Sequence, residues 1–440
     1  MQTGPNPEEE ACEPIQVSEL PPLLRRVASV DTLRGLVILL MIFVNDLGPA
    51  APSWMLHIQP PDADGMTLAD VVFPAFLFIV GVSIPLAVER SRRSGKSLGE
   101  ILRHVVSRTV GLLVMGLVGV NQGFDTTLGS PAWGVLAFIA IVFAWCLIPS
   151  EPGTSRTVLR VIKGVGIVGL VFLLAIFRSE PVATEVMFIG PVEDWVWLRT
   201  QWWGILGLIG WAYLVASLVY LWVGRRREWL MGATAMLVLV YFAFNGGGLF
   251  VRINDKSWLQ PILPAIEFAR SGIDFVSQYI DIGGATGSLA AVSVAGCLLG
   301  SILIGPQQIE DHPSRLRWSL AFAFGLFLGG LLCDPLAGIN KIAGTPTWGL
   351  WSASLTCLVW AVVYLIMDVR GVTRWSVVAR PAGANPLIAY LLHPVLIGCL
   401  SLMGLSSTLL AYKSSQNVGV VVAGSVIMSL TVCALTGLVA

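Results

Sequence analysis

Ionisable and amide side chains cluster in two neighbouring apolar segments near the start of the chain. Asp31, Arg34 and Asn45 lie in the first segment, Asp70 lies at the start of the second, and His57 lies in the polar stretch between them. Charged groups at membrane depth cost several kcal/mol unless they are paired or hydrated, so they usually mark a functional site. We therefore expect the chemistry of this protein in this part of the chain.

His57 is the candidate for proton transfer, because an imidazole is best suited to deprotonate a hydroxyl or an amine near neutral pH. It is one of four histidines in the chain, and Asp70 follows it by thirteen residues. Asp70 could orient the imidazole as a hydrogen-bond acceptor. Two plainer interpretations stay open: a solvated loop histidine, and an aspartate that compensates the dipole of a helix N-terminus.

Arg34 and Asn45 are eleven residues apart in the first apolar segment. On a helix, eleven steps return to within roughly 20° of the same face and rise roughly 16 Å. One face would therefore present a cation near one end and an amide near the other, and Asp31 could pair with Arg34. The alternative is interfacial: Asp31 caps the helix, and Arg34 reaches a lipid phosphate.

A second group of polar residues lies late in the chain. His393 falls inside an apolar segment, and Asn385 precedes it by eight residues, which places the two roughly 80° apart on a helix. An intramembrane histidine is a functional candidate, although a packed polar residue at a proline kink would fit as well. Asn340 and Lys341, just outside the ninth apolar segment, add a polar pair.

Composition identifies the elements that must position these residues. The chain is 55% hydrophobic and 12% charged, with a mean hydropathy of +0.78, which is typical of a polytopic membrane protein. Segments long enough to span a bilayer as helices predict an all-α bundle of about 12 transmembrane helices. They are 33–52, 67–88, 103–121, 131–149, 158–177, 202–223, 229–249, 285–305, 316–336, 347–367, 383–404 and 417–438.

Lys and Arg concentrate in alternate loops, which predicts that both termini are cytoplasmic and that His57 lies on the outer side. We expect residues 1–26 to be a disordered cytoplasmic leader without a cleavable signal peptide, and residues 27–440 to be a single transmembrane domain. The formal net charge of zero argues against a nucleic-acid partner. Seven cysteines without paired spacing indicate neither a disulfide framework nor a metal site.

Particular stretches of the sequence resemble a known family. They are SVDTLRGLVILLMIFVN, the loop histidine that follows it, TLADVVFPAFLFIVG, the INK of 339–341 with WGLWSAS, and GANPLIAYLLHP. These resemble the membrane acetyltransferase family of lysosomal heparan-α-glucosaminide N-acetyltransferase, and most closely its bacterial relatives of the DUF5009 type. The resemblance covers most of the chain from about Val27 to the penultimate helix.

The resemblance implies a membrane acyltransferase of the bacterial inner membrane. Such a protein takes acetyl-CoA from the cytoplasmic side and passes the acetyl group to an extracytoplasmic glycan or amino-sugar acceptor. The functional histidine of the family maps onto His57 and its motif asparagine onto Asn45. We expect His57 to act as a general base or as an acetyl carrier, and Asn45 to stabilise the oxyanion or hold the imidazole tautomer.

The remaining candidates are expected to bind donor or acceptor; they are Asp31, Arg34, Asp70, Asn385, His393, Asn340 and Lys341. Membrane lipid would surround the protein. Whether two copies of it form a homodimer is left open. A secondary transporter with 12 helices fits the same topology, although the two halves show no convincing sequence symmetry. A scaffold that has lost its activity is the third reading.

Overall fold

The computed structural model describes residues 27–145, 156–180, 196–200, 203–245, 263–277, 279–304 and 308–439, so the predicted leader 1–26 lies outside the described residues. Within these ranges the chain is helical, apart from one isolated antiparallel bridge between Ser179 and Val196. Ten of the described helices are long and apolar enough to cross a membrane, and two shorter apolar helices accompany them.

The helices, in chain order, are α1 (Ala28–Asp46), α2 (Leu68–Arg93), α3 (Leu98–Asn121), α4 (Ser130–Trp145), α5 (Arg156–Ile176), α6 (Gly204–Val223), α7 (Arg227–Asn245), α8 (Leu263–Ser277), α9 (Leu289–Ser301), α10 (His312–Ala337), α11 (Pro346–Tyr364), α12 (Arg380–Ala384), α13 (Pro386–Leu402), α14 (Ser406–Leu409) and α15 (Val418–Val439). One π-helical stretch, Ile282–Ser288, leads into α9, and another, Leu365–Val369, extends α11.

Each of the twelve predicted segments overlaps one of these helices, which confirms the all-helical architecture. Within the described residues, the helices α4 and α13 have 16 and 17 residues, fewer than the roughly 20 that a membrane-spanning helix ordinarily has. The number twelve therefore stays a prediction, as does the cytoplasmic placement of both termini. Helix α8 was not expected, because its segment carries Glu267, Arg270 and Asp274 and lacks a long apolar run.

The first helix begins and ends earlier than the predicted segment 33–52. It ends at Asp46, because Pro49 three residues further on disfavours helical geometry at Gly48. It begins at Ala28, before the apolar run, because Arg34 Nη2 lies 2.6 Å from Asp31 Oδ1 and the charged first turns are thereby paired. The shift places Asp46 in the last turn of the helix.

Helix α9 forms the centre of the bundle, with all 13 of its residues buried among α2, α6, α7 and α11. Small residues let α2 approach it closely. A Cβ atom on Gly81 would lie 1.9 Å from Ser293 O, and one on Gly296 would lie 2.0 Å from Phe78 O. Helix α2 is therefore fixed against the most buried element, and its first turn carries the candidate Asp70.

The bundle has two ends, which we name after Arg34 and His57. The Arg34 end contains the start of α1 and the end of α2, and the His57 end contains the loop 47–67 that joins these helices. Helix α13 runs in the same direction as α1. Arg34 Nε donates a hydrogen bond to Gly383 O at 2.7 Å just before α13, and His393 on α13 contacts Asp46 at the other end of α1.

Candidate functional site

The carboxylate of Asp70 organises the first turn of α2 and the loop before it. Its Oδ2 atom accepts hydrogen bonds from Ile58 N at 3.1 Å, Thr67 N at 3.2 Å and Thr67 Oγ1 at 2.9 Å. Thr67 is the N-cap of α2, and its backbone N–H is one of the groups that a helix N-terminus leaves without an intrahelical partner. The interpretation of Asp70 as the partner of a helix N-terminus thus fits this geometry.

The same carboxylate also holds the imidazole of His57. Asp70 Oδ1 lies 2.8 Å from His57 Nδ1, and Asp70 is 1% exposed while the imidazole is 41% exposed. An ionised carboxylate accepts hydrogen bonds and donates none, so the proton of a neutral imidazole belongs on Nδ1. Nε2 then keeps its lone pair, which is the arrangement that a general base requires.

Lys341 completes a group of three side chains that we call the His57 cluster: His57, Asp70 and Lys341. Its Nζ atom lies 2.9 Å from His57 Nδ1, 3.4 Å from His57 Nε2 and 3.6 Å from Asp70 Oδ1. Burial lowers the pKa of Lys341, and the Asp70 carboxylate opposes this shift only in part. The sequence distance between Lys341 and His57 is 284 residues, so only the fold brings them together.

Two loops at the His57 end are tied together by hydrogen bonds. Ile339 N donates to Asp64 Oδ1 at 2.7 Å, and Gly65 N donates to Ile339 O at 2.8 Å. Asn340 Nδ2 donates to Pro61 O at 3.1 Å, so this side chain links the loops and does not contact the imidazole directly. The link holds Lys341 over the His57 loop.

Asn45 does not join the His57 cluster. Its side chain is exposed at the end of α1, and within the residues that the structure describes no hydrogen bond joins it to His57. Its neighbour Asp46, one residue further along the helix, is fully buried. The catalytic role of Asn45 stays a prediction.

Asp46 is the centre of a second polar group that the sequence analysis missed. His393 Nε2 lies 3.2 Å from Asp46 Oδ1, Lys413 Nζ lies 2.6 Å from the same oxygen, and Tyr412 donates a hydrogen bond from its hydroxyl to Oδ2. Burial, together with the Asp46 carboxylate, raises the pKa of Tyr412. The sequence signal that could have indicated this group is Asp46 itself, a carboxylate at the end of an apolar helix.

A cavity of about 450 Å³ opens at the Arg34 end. Its lining includes five cationic side chains and three carboxylates: Arg34, Arg90, Arg93, Lys96, Arg108, Asp31, Glu89 and Glu100. Arg34 is held there by Asp31 and by Gly383 O. Asn385 lies between two lining residues, Ala384 and Pro386, and is therefore separated from His393 along α13.

The cavity extends along α2 toward the His57 cluster. Phe76 also lines it, and this residue follows Asp70 by six positions, which is roughly 9 Å along a helix axis. One helix therefore connects the basic cavity with the imidazole. In the described part of the chain, no group of three or more His, Cys, Asp or Glu side chains has the geometry to hold a metal ion.

Residues 26–242 match the model of a family described as "Domain of unknown function (DUF5009)". This match assigns the part of the chain from residue 26 to residue 242 to the DUF5009 family. The matched part of the chain contains the Asp31–Arg34 pair, His57 and Asp70, whereas Lys341 lies beyond it.

Two curated proteins similar to part of this chain are named heparan-alpha-glucosaminide N-acetyltransferase. The protein from Homo sapiens is 35% identical over 134 residues, which cover 29% of this chain and 19% of the relative. The protein from Mus musculus is 35% identical over 124 residues, which cover 27% of this chain and 18% of the relative. The aligned region thus spans about a fifth of the length of these relatives.

Proposed function

We propose that this protein is a transmembrane acyltransferase of the bacterial inner membrane. It would move an acetyl group from cytoplasmic acetyl-CoA to a sugar or glycan acceptor on the other side. One observation carries the proposal: α2 presents a basic cavity at one end and an imidazole oriented by a buried carboxylate at the other. The N-acetyltransferase relatives support the same reaction class.

The Arg34 end suits a donor that carries phosphates. Its cavity of about 450 Å³ falls within the usual range for small-molecule sites, and cations outnumber carboxylates in its lining. Arg90 and Lys96 are exposed near the end of α2, where they can meet an anion from solvent. Phosphates bound there would allow the thioester to extend along α2 toward His57.

The His57 end supplies the proton transfer. His57 Nε2 would accept the proton of the acceptor's amine or hydroxyl as its nitrogen or oxygen attacks the thioester carbonyl carbon. The carbon–sulfur bond then breaks, and the imidazolium returns a proton to the leaving thiolate. Asp70 would stabilise the imidazolium through Nδ1, and Asn45, exposed at the same end, would be free to donate to the oxyanion.

The orientation of the protein follows in this proposal from its cations. The Arg34 end carries the RSRRSGK loop of 90–96 and the RRR of 225–227, whereas the loop 47–67 contains no Lys or Arg. Such a bias is typical of the cytoplasmic side of a membrane protein. The donor cavity would then face the cytoplasm and His57 the opposite side.

A transfer assay with purified protein tests the proposal. The protein is incubated with acetyl-CoA and a simple glucosaminide, and both acetylated product and free CoA are measured by chromatography and mass spectrometry. Product formation together with binding heat from acetyl-CoA is the expected result. If the titration shows no binding heat and the assay shows no product, the proposal is overturned and the transporter hypothesis is favoured.

The cationic cavity gives a separate prediction. The double variant Arg90→Gln with Lys96→Gln should weaken acetyl-CoA binding roughly 2- to 30-fold, because each exposed charge pair contributes about 0.2–1 kcal/mol. Isothermal titration at two salt concentrations measures the loss and the flattened salt dependence. Arg317→Gln is the matched control, since Arg317 is an exposed cation of the same end outside the cavity lining. Equal losses in both variants would contradict the donor site.

A further inference from the structure

A primary amine of the chain lies beside the imidazole, close to the nitrogen that would take the proton of an acceptor. Lys341 Nζ is 3.4 Å from His57 Nε2 and 2.9 Å from Nδ1. A general base must be within about one hydrogen-bond length of the proton that it removes. Any acetyl group delivered to an acceptor at Nε2 therefore arrives next to the amine of Lys341.

The surroundings of Lys341 favour the nucleophilic form of its amine. Its carboxylate partner, Asp70 Oδ1, is 3.6 Å away, while the two oxygens of that carboxylate already accept hydrogen bonds from His57, Ile58 and Thr67. Burial lowers the pKa of Lys341 in spite of this partner. The amine is consequently deprotonated in a larger fraction of molecules than a solvated lysine would be.

We propose that Lys341 is a self-acetylation site of this protein, an inference that rests on the proposed acetyl transfer to the His57 end. His57 Nε2 takes a proton from the neutral amine while Nζ attacks the thioester carbonyl carbon. A carbon–nitrogen bond forms and the carbon–sulfur bond breaks. The thiolate leaves as CoA after it receives that proton, so one acetyl-CoA yields one acetyl-lysine and one free CoA.

The modification has a chemical consequence for the site. An acetylated Lys341 loses its charge, its ability to donate three hydrogen bonds and its interaction with Asp70. The acetamide group also fills the space beside Nε2 that an acceptor needs. Self-acetylation therefore stops the protein when donor is present and acceptor is scarce.

Lys413 offers a comparison within the same molecule. It lies at the same end of the bundle, and its side chain is 28% exposed against 23% for Lys341. Its Nζ atom is bonded to Asp46 at 2.6 Å, and it belongs to the Asp46 group rather than to the His57 cluster. Spontaneous acetylation in solution should not depend on His57 at either lysine, whereas acetylation by His57 should raise the labelling of Lys341 alone.

The experiment uses purified full-length protein with [¹³C₂]acetyl-CoA and no acceptor, followed by digestion and mass spectrometry of both lysines. We expect labelled acetyl on Lys341 to exceed that on Lys413 by roughly 100-fold, and His57→Gln to remove this excess. Similar labelling of both lysines, or labelling of Lys341 that His57→Gln leaves unchanged, would overturn the inference. Thermal unfolding and acetyl-CoA titration verify that the variant is folded and still binds donor.

The outcomes separate this inference from the proposed function. If acetylated glucosaminide forms while Lys341 stays unlabelled, the inference fails and the acyltransferase proposal stands. If acetyl-CoA neither binds nor reacts, both fail together. Lys341→Arg keeps the positive charge but removes the primary amine. This variant should carry no label at position 341. Preincubation with donor should gradually inactivate the unaltered protein but not this variant.

Discussion

Replacing His57 by glutamine should lower the rate of acetyl transfer by roughly 10²- to 10⁴-fold, the usual contribution of a positioned general base. Glutamine keeps a polar side chain of similar length but offers no nitrogen that can accept and return a proton. The imidazole is 41% exposed, so its loss should leave the fold intact. Product formation under saturating acetyl-CoA and glucosaminide measures the effect.

The matched control is His312→Gln. His312 lies at the Arg34 end, where its Nδ1 atom contacts the Tyr364 hydroxyl at 2.6 Å, outside both the cavity lining and the His57 cluster. This variant removes one imidazole from the protein and should keep normal turnover. Near-normal turnover of the His57→Gln variant, with donor binding unchanged, would instead assign the proton transfer to another group.

Much of the architecture could be predicted from the lengths of the apolar segments. A segment that crosses hydrocarbon must satisfy its own backbone hydrogen bonds, so a long apolar segment indicates a helix. The Asp31–Arg34 contact was also readable, since residues three positions apart share a helix face. The early end of α1 was not anticipated from hydropathy, although the Gly48–Pro49 step that causes it is local. Segment hydropathy averages over such single positions.

The candidate site was less predictable, because its geometry depends on contacts between distant segments. Proximity in sequence was sufficient to suggest that Asp70 meets His57. The placement of Lys341 depends on how the loop after α10 folds over the loop before α2, which local patterns do not encode. The Asp46 group likewise joins α1 to residues nearly 370 positions away.

Asn45 and Asp46 show how a single step along a helix decides which side chain points into the bundle. Adjacent residues on a helix differ by about 100° in direction, so a shift of one position moves a side chain from the exterior to the interior. The helical spacing from Arg34 favoured Asn45, yet the structure buries Asp46 and exposes Asn45. The buried carboxylate is the residue of this turn that binds other side chains.

Replacing Asp70 by asparagine should lower acetyl transfer by roughly 10²- to 10⁴-fold even though His57 remains in place. The carboxylate only accepts hydrogen bonds, and this fixes the imidazole proton on Nδ1. An asparagine amide can accept at one atom and must donate at the other, so it no longer enforces one tautomer. Loss of the orienting carboxylate in a serine-protease triad has an effect of this kind.

A purely structural role of Asp70 predicts a different pattern, and Thr67→Val distinguishes the two. Thr67 Oγ1 lies 2.9 Å from Asp70 Oδ2 and 2.5 Å from Leu56 O, so this variant removes the hydroxyl contacts of the N-cap but keeps the carboxylate beside His57. It should lower the free energy of unfolding by about 0.5–1.5 kcal/mol and largely keep activity. Asp70→Asn should lose activity far beyond what its own change in melting temperature accounts for.

The tautomer itself can be observed, which makes the argument independent of turnover. In protein with ¹⁵N-labelled histidine, the two ring nitrogens of His57 should show one protonated Nδ1 and one unprotonated Nε2, and Asp70→Asn should mix or reverse this assignment. Asp70 also accepts hydrogen bonds from Ile58 N and Thr67 N, so its replacement should lower stability. The variant must therefore be compared with the unaltered protein at a temperature where both are folded. An unchanged tautomer with reduced turnover would mean that Asp70 acts on the charge that develops on the imidazole rather than on the position of its proton.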